Sequence, residues 1–137
     1  MLVRCDALGD VGLLDEQFWT YAEDLEWSVR FLKRGYRLAF APKALLWHID
    51  GATNLKTLGS GSEAIRQFLS TRNLVFAARK HLRWFQIPTF CFGFLVNHVG
   101  RHTAVRIKGR DFRALFAIYR GLFDGLRTRL TSSYEAN

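Results

Sequence analysis

The 137-residue sequence has little cysteine, proline or methionine: two, two and one. Cys5 and Cys91 stand far apart in the sequence, which excludes a disulfide framework and a zinc finger. They read as two buried thiols of a reducing compartment. Long apolar runs are also missing. The longest, 84–99, is broken by Gln86, Pro88, Asn97 and His98 and falls short of the roughly 20 residues a spanning helix needs, so it reads as an interfacial or re-entrant segment. Arg4 and Asp6 interrupt the apolar start, so these first residues are not expected to be a secretory signal. The chain has no Asp-x-Asp, internal repeat or low-complexity tract.

What is present is apolar surface and positive charge. Hydrophobic residues make up 49% of the chain, too many for a disordered segment. The net charge of +8 is unevenly placed. Up to Thr71 there are eight Lys/Arg against nine Asp/Glu; from Arg72 onward there are twelve against three. A basic second half is expected to meet something anionic. Nucleic acid fits poorly, because the aromatics lie on an apolar stripe and are not interleaved with the cations as a stacking platform requires.

Periodicity predicts the elements. Residues 1–5 read as a short strand, 6–10 as a turn or short helix, and 12–15 as a tight connection to Phe18-Trp19-Thr20-Tyr21. Residues 23–34 form a helix in which Leu25, Val29 and Leu32 make the buried face, with acids in its first turn, Lys33 and Arg34 in its last, and Gly35 to stop it. Strands are expected at 36–41 and 44–48, on either side of Pro42. After a polar loop, 62–82 is a long helix. Residues 111–130 form the clearest helix, with Phe112, Leu115, Phe116, Tyr119, Leu122, Phe123, Leu126 and Leu130 on one stripe and Arg113, Arg120 and Arg127 along its flank. The expected architecture is an α/β core, 1–82, followed by an α-helical tail, 83–137.

Three groups of residues could carry chemistry. Glu23, Asp24 and Glu26 crowd three carboxylates into the start of a helix, where the dipole offsets their repulsion. Helix capping explains the same pattern. His48 follows a predicted strand, a place where α/β folds put functional groups and where a histidine can ligate a metal or simply hydrogen-bond. Arg72, beside Asn73 in mid-helix, suits a phosphate or a solvated helix face.

Taken in order, these pieces resemble the C-terminal half of family 2 glycosyltransferases, the rhamnosyltransferase-like group in particular. Val11-Gly12-Leu13-Leu14-Asp15-Glu16-Gln17-Phe18-Trp19 is similar to that family's glycine–aspartate–aromatic stretch. Tyr21-Ala22-Glu23-Asp24-Leu25-Glu26 resembles its Glu-Asp motif. Gly35-Tyr36-Arg37-Leu38, Ala41-Pro42 and Trp47-His48 follow in register, and Arg72-Asn73 with Lys80 resembles its "RN……K" helix. The match runs from Met1 to about Lys80.

The resemblance implies a GT-A, Rossmann-like fold. It implies an inverting transfer of a sugar, rhamnose in this subgroup, from a nucleotide-sugar to a saccharide or lipid-linked acceptor in cell-surface polysaccharide synthesis. By the same resemblance Asp24 is the catalytic base, and Glu23, Glu26, Trp19 and Tyr21 bind the acceptor or tune the base. Arg72 contacts the diphosphate, and His48 belongs to the site of a divalent metal, Mg²⁺ or Mn²⁺. The family's metal motif and nucleotide-binding strands lie upstream of the matching region. The chain is therefore expected to be a partial GT-A domain with an incomplete metal site, inactive without an N-terminal half. The basic tail implies a cytoplasmic protein, peripheral at the inner face of the membrane and in contact with anionic lipid. The alternative is a non-catalytic membrane-surface or interaction module, in which the acids only cap a helix.

Overall fold

The computed structural model describes residues 2–47 and 62–131. Among them the chain is helical, with no strand and no sheet, so the α/β Rossmann-like expectation is overturned. The helices are α1 (Cys5–Val11), α2 (Glu23–Lys33), α3 (Ser62–His81), α4 (Ile87–Gly93), α5 (Arg101–Lys108) and α6 (Phe112–Arg127). A 3₁₀ turn, Trp84–Gln86, leads into α4, and a π-helical stretch, Phe94–Gly100, joins α4 to α5.

Local chemistry explains the first two helices. At α1, Asp6 accepts the Ala7 N–H at 3.0 Å and pairs with Arg4, which stabilises the first turn of a helix where 6–10 was expected to be a turn or short helix, while residues 2–4, expected as part of a strand, are irregular. Ala7 and Val11, one turn apart, then bury against Phe31 of α2, with Trp27 and Tyr36 stacked edge-on to that ring. Helix α2 ends as its sequence predicts. Gly35 takes φ +85°, and Tyr36 N–H reaches back to Phe31 C=O at 3.0 Å, closing a Schellman turn. Its buried face differs from the prediction. Leu25 and Leu32 are exposed, while Glu26 and Phe31 are buried.

The expected strand at 36–41, and the described part of the one at 44–48, are irregular and exposed. Their alternation is real but short, and a strand is stable only when a neighbour completes its ladder. No neighbouring strand exists among the described residues.

The main packing unit is α3 against α6. Contacts advance together along both helices, Phe68 facing Gly121 and Val75 facing Gly125, so they run parallel. The face that α6 turns inward is small: Ala114, Ala117, Ile118, Gly121 and Gly125. A Cβ on Gly121 would stand 2.4 Å from the Phe68 carbonyl oxygen, so only glycine permits this approach. Asp111 caps α6 through the Ala114 N–H at 3.1 Å. Arg79 of α3 donates to the carbonyls of Gly125 and Thr128 at 2.6 and 2.8 Å, placing a cation at the negative end of α6. Phe94 and Val99 of the π-helical stretch fill the space between Val75 and Ile118. The aromatic members of the predicted α6 stripe and Leu126 therefore point away from α3, while Leu122 and Leu130 pack inward. Cys5 and Cys91 are both free and exposed, contrary to the buried thiols expected.

Candidate functional site

The site is built on the loop between α1 and α2. From residue 15 this loop turns tightly, with Asp15 accepting Gln17 N–H at 3.0 Å and Thr20 N–H reaching the Phe18 carbonyl at 2.6 Å. Trp19, Tyr21 and Ala22 hold φ between 54° and 67°, the left-handed region that costs a non-glycine residue about 1–2 kcal/mol. Strained geometry of this kind persists only where surrounding contacts over-determine it.

Helix α3 supplies those contacts. Asn73 is wholly buried, and its two amide hydrogens are shared among the carbonyls of Phe18, Thr20 and Tyr21 at 2.6, 2.7 and 2.8 Å. Its own oxygen accepts Arg72 Nε at 3.0 Å. Phe18 is also wholly buried, edge-on to Phe76 of α3. Two turns after Asn73, Lys80 pairs with the buried Asp15. Asn73 and Lys80 thus hold the loop at both ends, and with it the start of α2.

Behind the loop lies an ionic cluster around Glu26, which is 1% exposed. Arg30 Nε lies 3.0 Å from it, His81 Nε2 3.1 Å and Lys80 Nζ 3.9 Å. Burial pushes its carboxyl upward. The His81 hydrogen bond and the charges of Arg30 and Lys80 outweigh that and hold it below the usual carboxylate range. Arg30 also donates to the carbonyls of Val11 and Leu13, and Trp27 to that of Gly12, so α2 grips the chain leaving α1. In this structure Glu26 is a structural anion joining α2, α3 and the loop.

The other two acids are placed differently. Asp24 is exposed at the first turn of α2 and accepts the Leu25 N–H at 2.8 Å. Glu23 is half-buried, and its Oε2 is shielded from solvent with no hydrogen-bond partner among the described residues. Trp19 is exposed and Tyr21 half-buried on the loop leading to them. Arg72 is engaged within the fold. It donates to Gln17 C=O at 3.3 Å and lies over the rings of Phe68 and Phe76, and burial lowers its pKa. His48 lies outside the described residues. Among those described, no three His, Cys, Asp or Glu side chains converge as a metal site.

The sequence marked Glu23, Asp24 and the "RN……K" pattern but not the part played by Asn73, Lys80, Asp15 and His81. A signal existed: seven residues, two helical turns, separate Asn73 from Lys80 and put both on one face of α3. Their partners lie more than fifty residues away in the chain, a distance that periodicity does not bridge.

The chain is a weak homologue of a rhamnosyltransferase. It is 28% identical over 88 residues to N-acetylglucosaminyl-diphospho-decaprenol L-rhamnosyltransferase of Mycobacterium tuberculosis strain CDC 1551, and equally to that of strain ATCC 25618 / H37Rv. The match covers 64% of this chain and 27% of each relative, so the chain spans about a quarter of the length of the relatives it matches. No family model and no solved structure matches.

Proposed function

We propose that this chain forms the acceptor side of a family 2 glycosyltransferase, with Asp24 as the base that activates the acceptor hydroxyl. The observation that carries the proposal is the difference among three neighbouring acids. Glu26 is consumed by an ion cluster, while Asp24 faces solvent and Glu23 keeps an unpartnered oxygen, both at the end of a loop held in strained geometry. Such a loop gives fixed direction to side chains that would otherwise move. The homology to a rhamnosyltransferase supports sugar transfer as the reaction class.

In that reaction the acceptor oxygen attacks the anomeric carbon of a nucleotide-sugar. A C–O bond forms, the bond to the nucleoside diphosphate breaks, and the hydroxyl proton passes to the Asp24 carboxylate. A positioned base of this kind contributes about 10²–10⁴-fold. Trp19, exposed on the same loop, offers a flat apolar face for a sugar ring. The donor nucleotide, the metal and the diphosphate contacts are assigned to polypeptide outside this chain, which by itself is expected not to turn over a sugar nucleotide. The relatives are named for an acceptor carried on diphospho-decaprenol, so a lipid-linked saccharide is the acceptor class proposed here.

The test is an NMR titration of the 137-residue chain with a short-chain prenyl-diphosphate saccharide. Amide shifts concentrated in residues 19–26 are expected. Shifts confined to the basic tail, or none at all, would contradict an acceptor site at this loop.

A further inference from the structure

The aromatic stripe of α6 is fully formed and mostly exposed, although the Tyr119 hydroxyl also bonds that of Thr103 on α5 at 3.1 Å. Ala114, Ala117, Gly121 and Gly125 face α3, and Phe112, Phe116, Tyr119, Phe123 and Leu126 project from the opposite side. Phe116 is 70% exposed and Phe123 59%. At 100° per residue the five fall within one narrow arc, on the far side of the helix from Gly121. Arg113, Arg120 and Arg127 follow one another at seven-residue spacing along a single flank of that arc, and all three are exposed, Arg120 with its guanidinium 5.7 Å from the Phe68 ring centre. The Arg127 guanidinium stands 5.0 Å from the Phe123 ring centre, so its charge is carried at the edge of the apolar surface. The stretch 83–131 holds nine Lys/Arg against two acids.

We infer that this face of α6 is a docking surface for an anionic lipid bilayer, with the aromatic arc inserted among the acyl chains and the three arginines at the headgroup phosphates. The inference deepens the proposed function by supplying the surface on which a lipid-linked acceptor would be met, and it rests on that reading only for its purpose. Lying in the interface is the expected mode, since no helix among the described residues is long and apolar enough to cross a membrane. Charge selects lipid over the other occupants. A second copy packed antiparallel would bring one arginine row against another, a repulsive pairing, and one packed parallel would leave both rows without an anionic partner. Nucleic acid would find the rings on the apolar arc and the cations on its flank, not alternating along a strand.

Vesicle flotation of the 137-residue chain tests this without any acceptor present. The chain is expected to float with mixed phosphatidylglycerol–phosphatidylcholine vesicles and to stay at the bottom with phosphatidylcholine alone. Each arginine near an anionic surface contributes about fivefold in partitioning, so the triple variant Arg113→Gln, Arg120→Gln, Arg127→Gln should bind roughly 100-fold more weakly. Phe116→Ser with Phe123→Ser should weaken binding at least about tenfold through lost apolar insertion. Both variants change exposed side chains, and unchanged helical circular dichroism would show that the fold is kept. Failure of the wild-type chain to float with anionic vesicles would overturn the proposal. So would equal binding to neutral vesicles, or a dimer in solution that dissociates on Phe116→Ser. Asp24→Asn should float as wild type does, so loss of the acceptor-site reading and loss of this one are told apart.

Discussion

Replacing Asn73 by alanine should loosen the loop that presents Glu23 and Asp24, and the size of the effect follows from its contacts. Three carbonyls lose their donor, those of Phe18, Thr20 and Tyr21. Each net hydrogen bond contributes about 1 kcal/mol, and a buried carbonyl left unpaired costs about 1–3 kcal/mol. The Phe18 bond is fully buried, so that carbonyl cannot turn to water without movement. Part of the cost is returned, because Trp19, Tyr21 and Ala22 are freed to leave their left-handed conformations, at about 1–2 kcal/mol each. The balance is a loss of about 1.5 kcal/mol, or a melting temperature lowered by roughly 5 °C for a chain of this size. Asn73→Asp keeps the volume but replaces both donors with acceptors facing three carbonyls, so it should lose at least as much. Urea unfolding gives the free energies, and amide exchange at residues 18–22 reports whether the loop opens first. A loss below about 0.5 kcal/mol for both variants would refute the clamp.

Other perturbations separate packing from charge. Gly121→Ala should cost about 1–3 kcal/mol by forcing α6 away from the Phe68 carbonyl, checked by thermal unfolding. Lys80→Met strands Asp15 and weakens the shell around Glu26, so a loss of about 3–5 kcal/mol is expected in urea unfolding, with partial recovery when Asp15→Asn is added. Acid should destabilise the fold in two steps. Burial and the neighbouring His102 lower the pKa of His98, which also bonds Thr71 at 3.0 Å. Below the ordinary histidine value of about 6.5 the unfolded chain therefore takes up a proton that the folded chain refuses, and stability falls as pH drops from there. Glu26, held below its usual range, contributes stability that is complete above about pH 4.3 and lost as pH falls through its folded value. Melting temperature followed from about pH 8 to about pH 3 should show both losses, and His98→Gln should shrink the first, the remainder coming from His102, which burial and the charges of Arg106, Arg101 and Arg66 also hold low.

How legible this was in the sequence depended on the range of the interactions. Helices α2, α3 and α6 were read within a few residues of their ends, because Gly35, Asp111 and the apolar periods act locally. The faces were read less well. On α6 the eye takes the large aromatics as the core, whereas Gly121 and Gly125 set the packing: a close backbone approach needs small residues, and the large ones are left outside. On α2 the same rule misassigned Leu25 and Leu32, since Glu26 is buried by partners drawn from α3. The strands failed because alternation at 36–41 records a tendency, and a sheet needs a second strand to realise it. The acid motif was visible as a cluster, but the separate roles of Glu26 and Asp24 emerged only when Arg30, Lys80 and His81 were seen around one of them.

The claim that matters most is that Asp24 takes a proton from the acceptor. It is measured most directly in a chimera in which this chain replaces the homologous region of the mycobacterial rhamnosyltransferase, comparing kcat and donor Kd for Asp24 and Asp24→Asn. The account predicts a fall in kcat of about 10²–10⁴-fold with donor affinity unchanged. An Asp24→Asn chimera that transfers sugar as fast as its parent would contradict it.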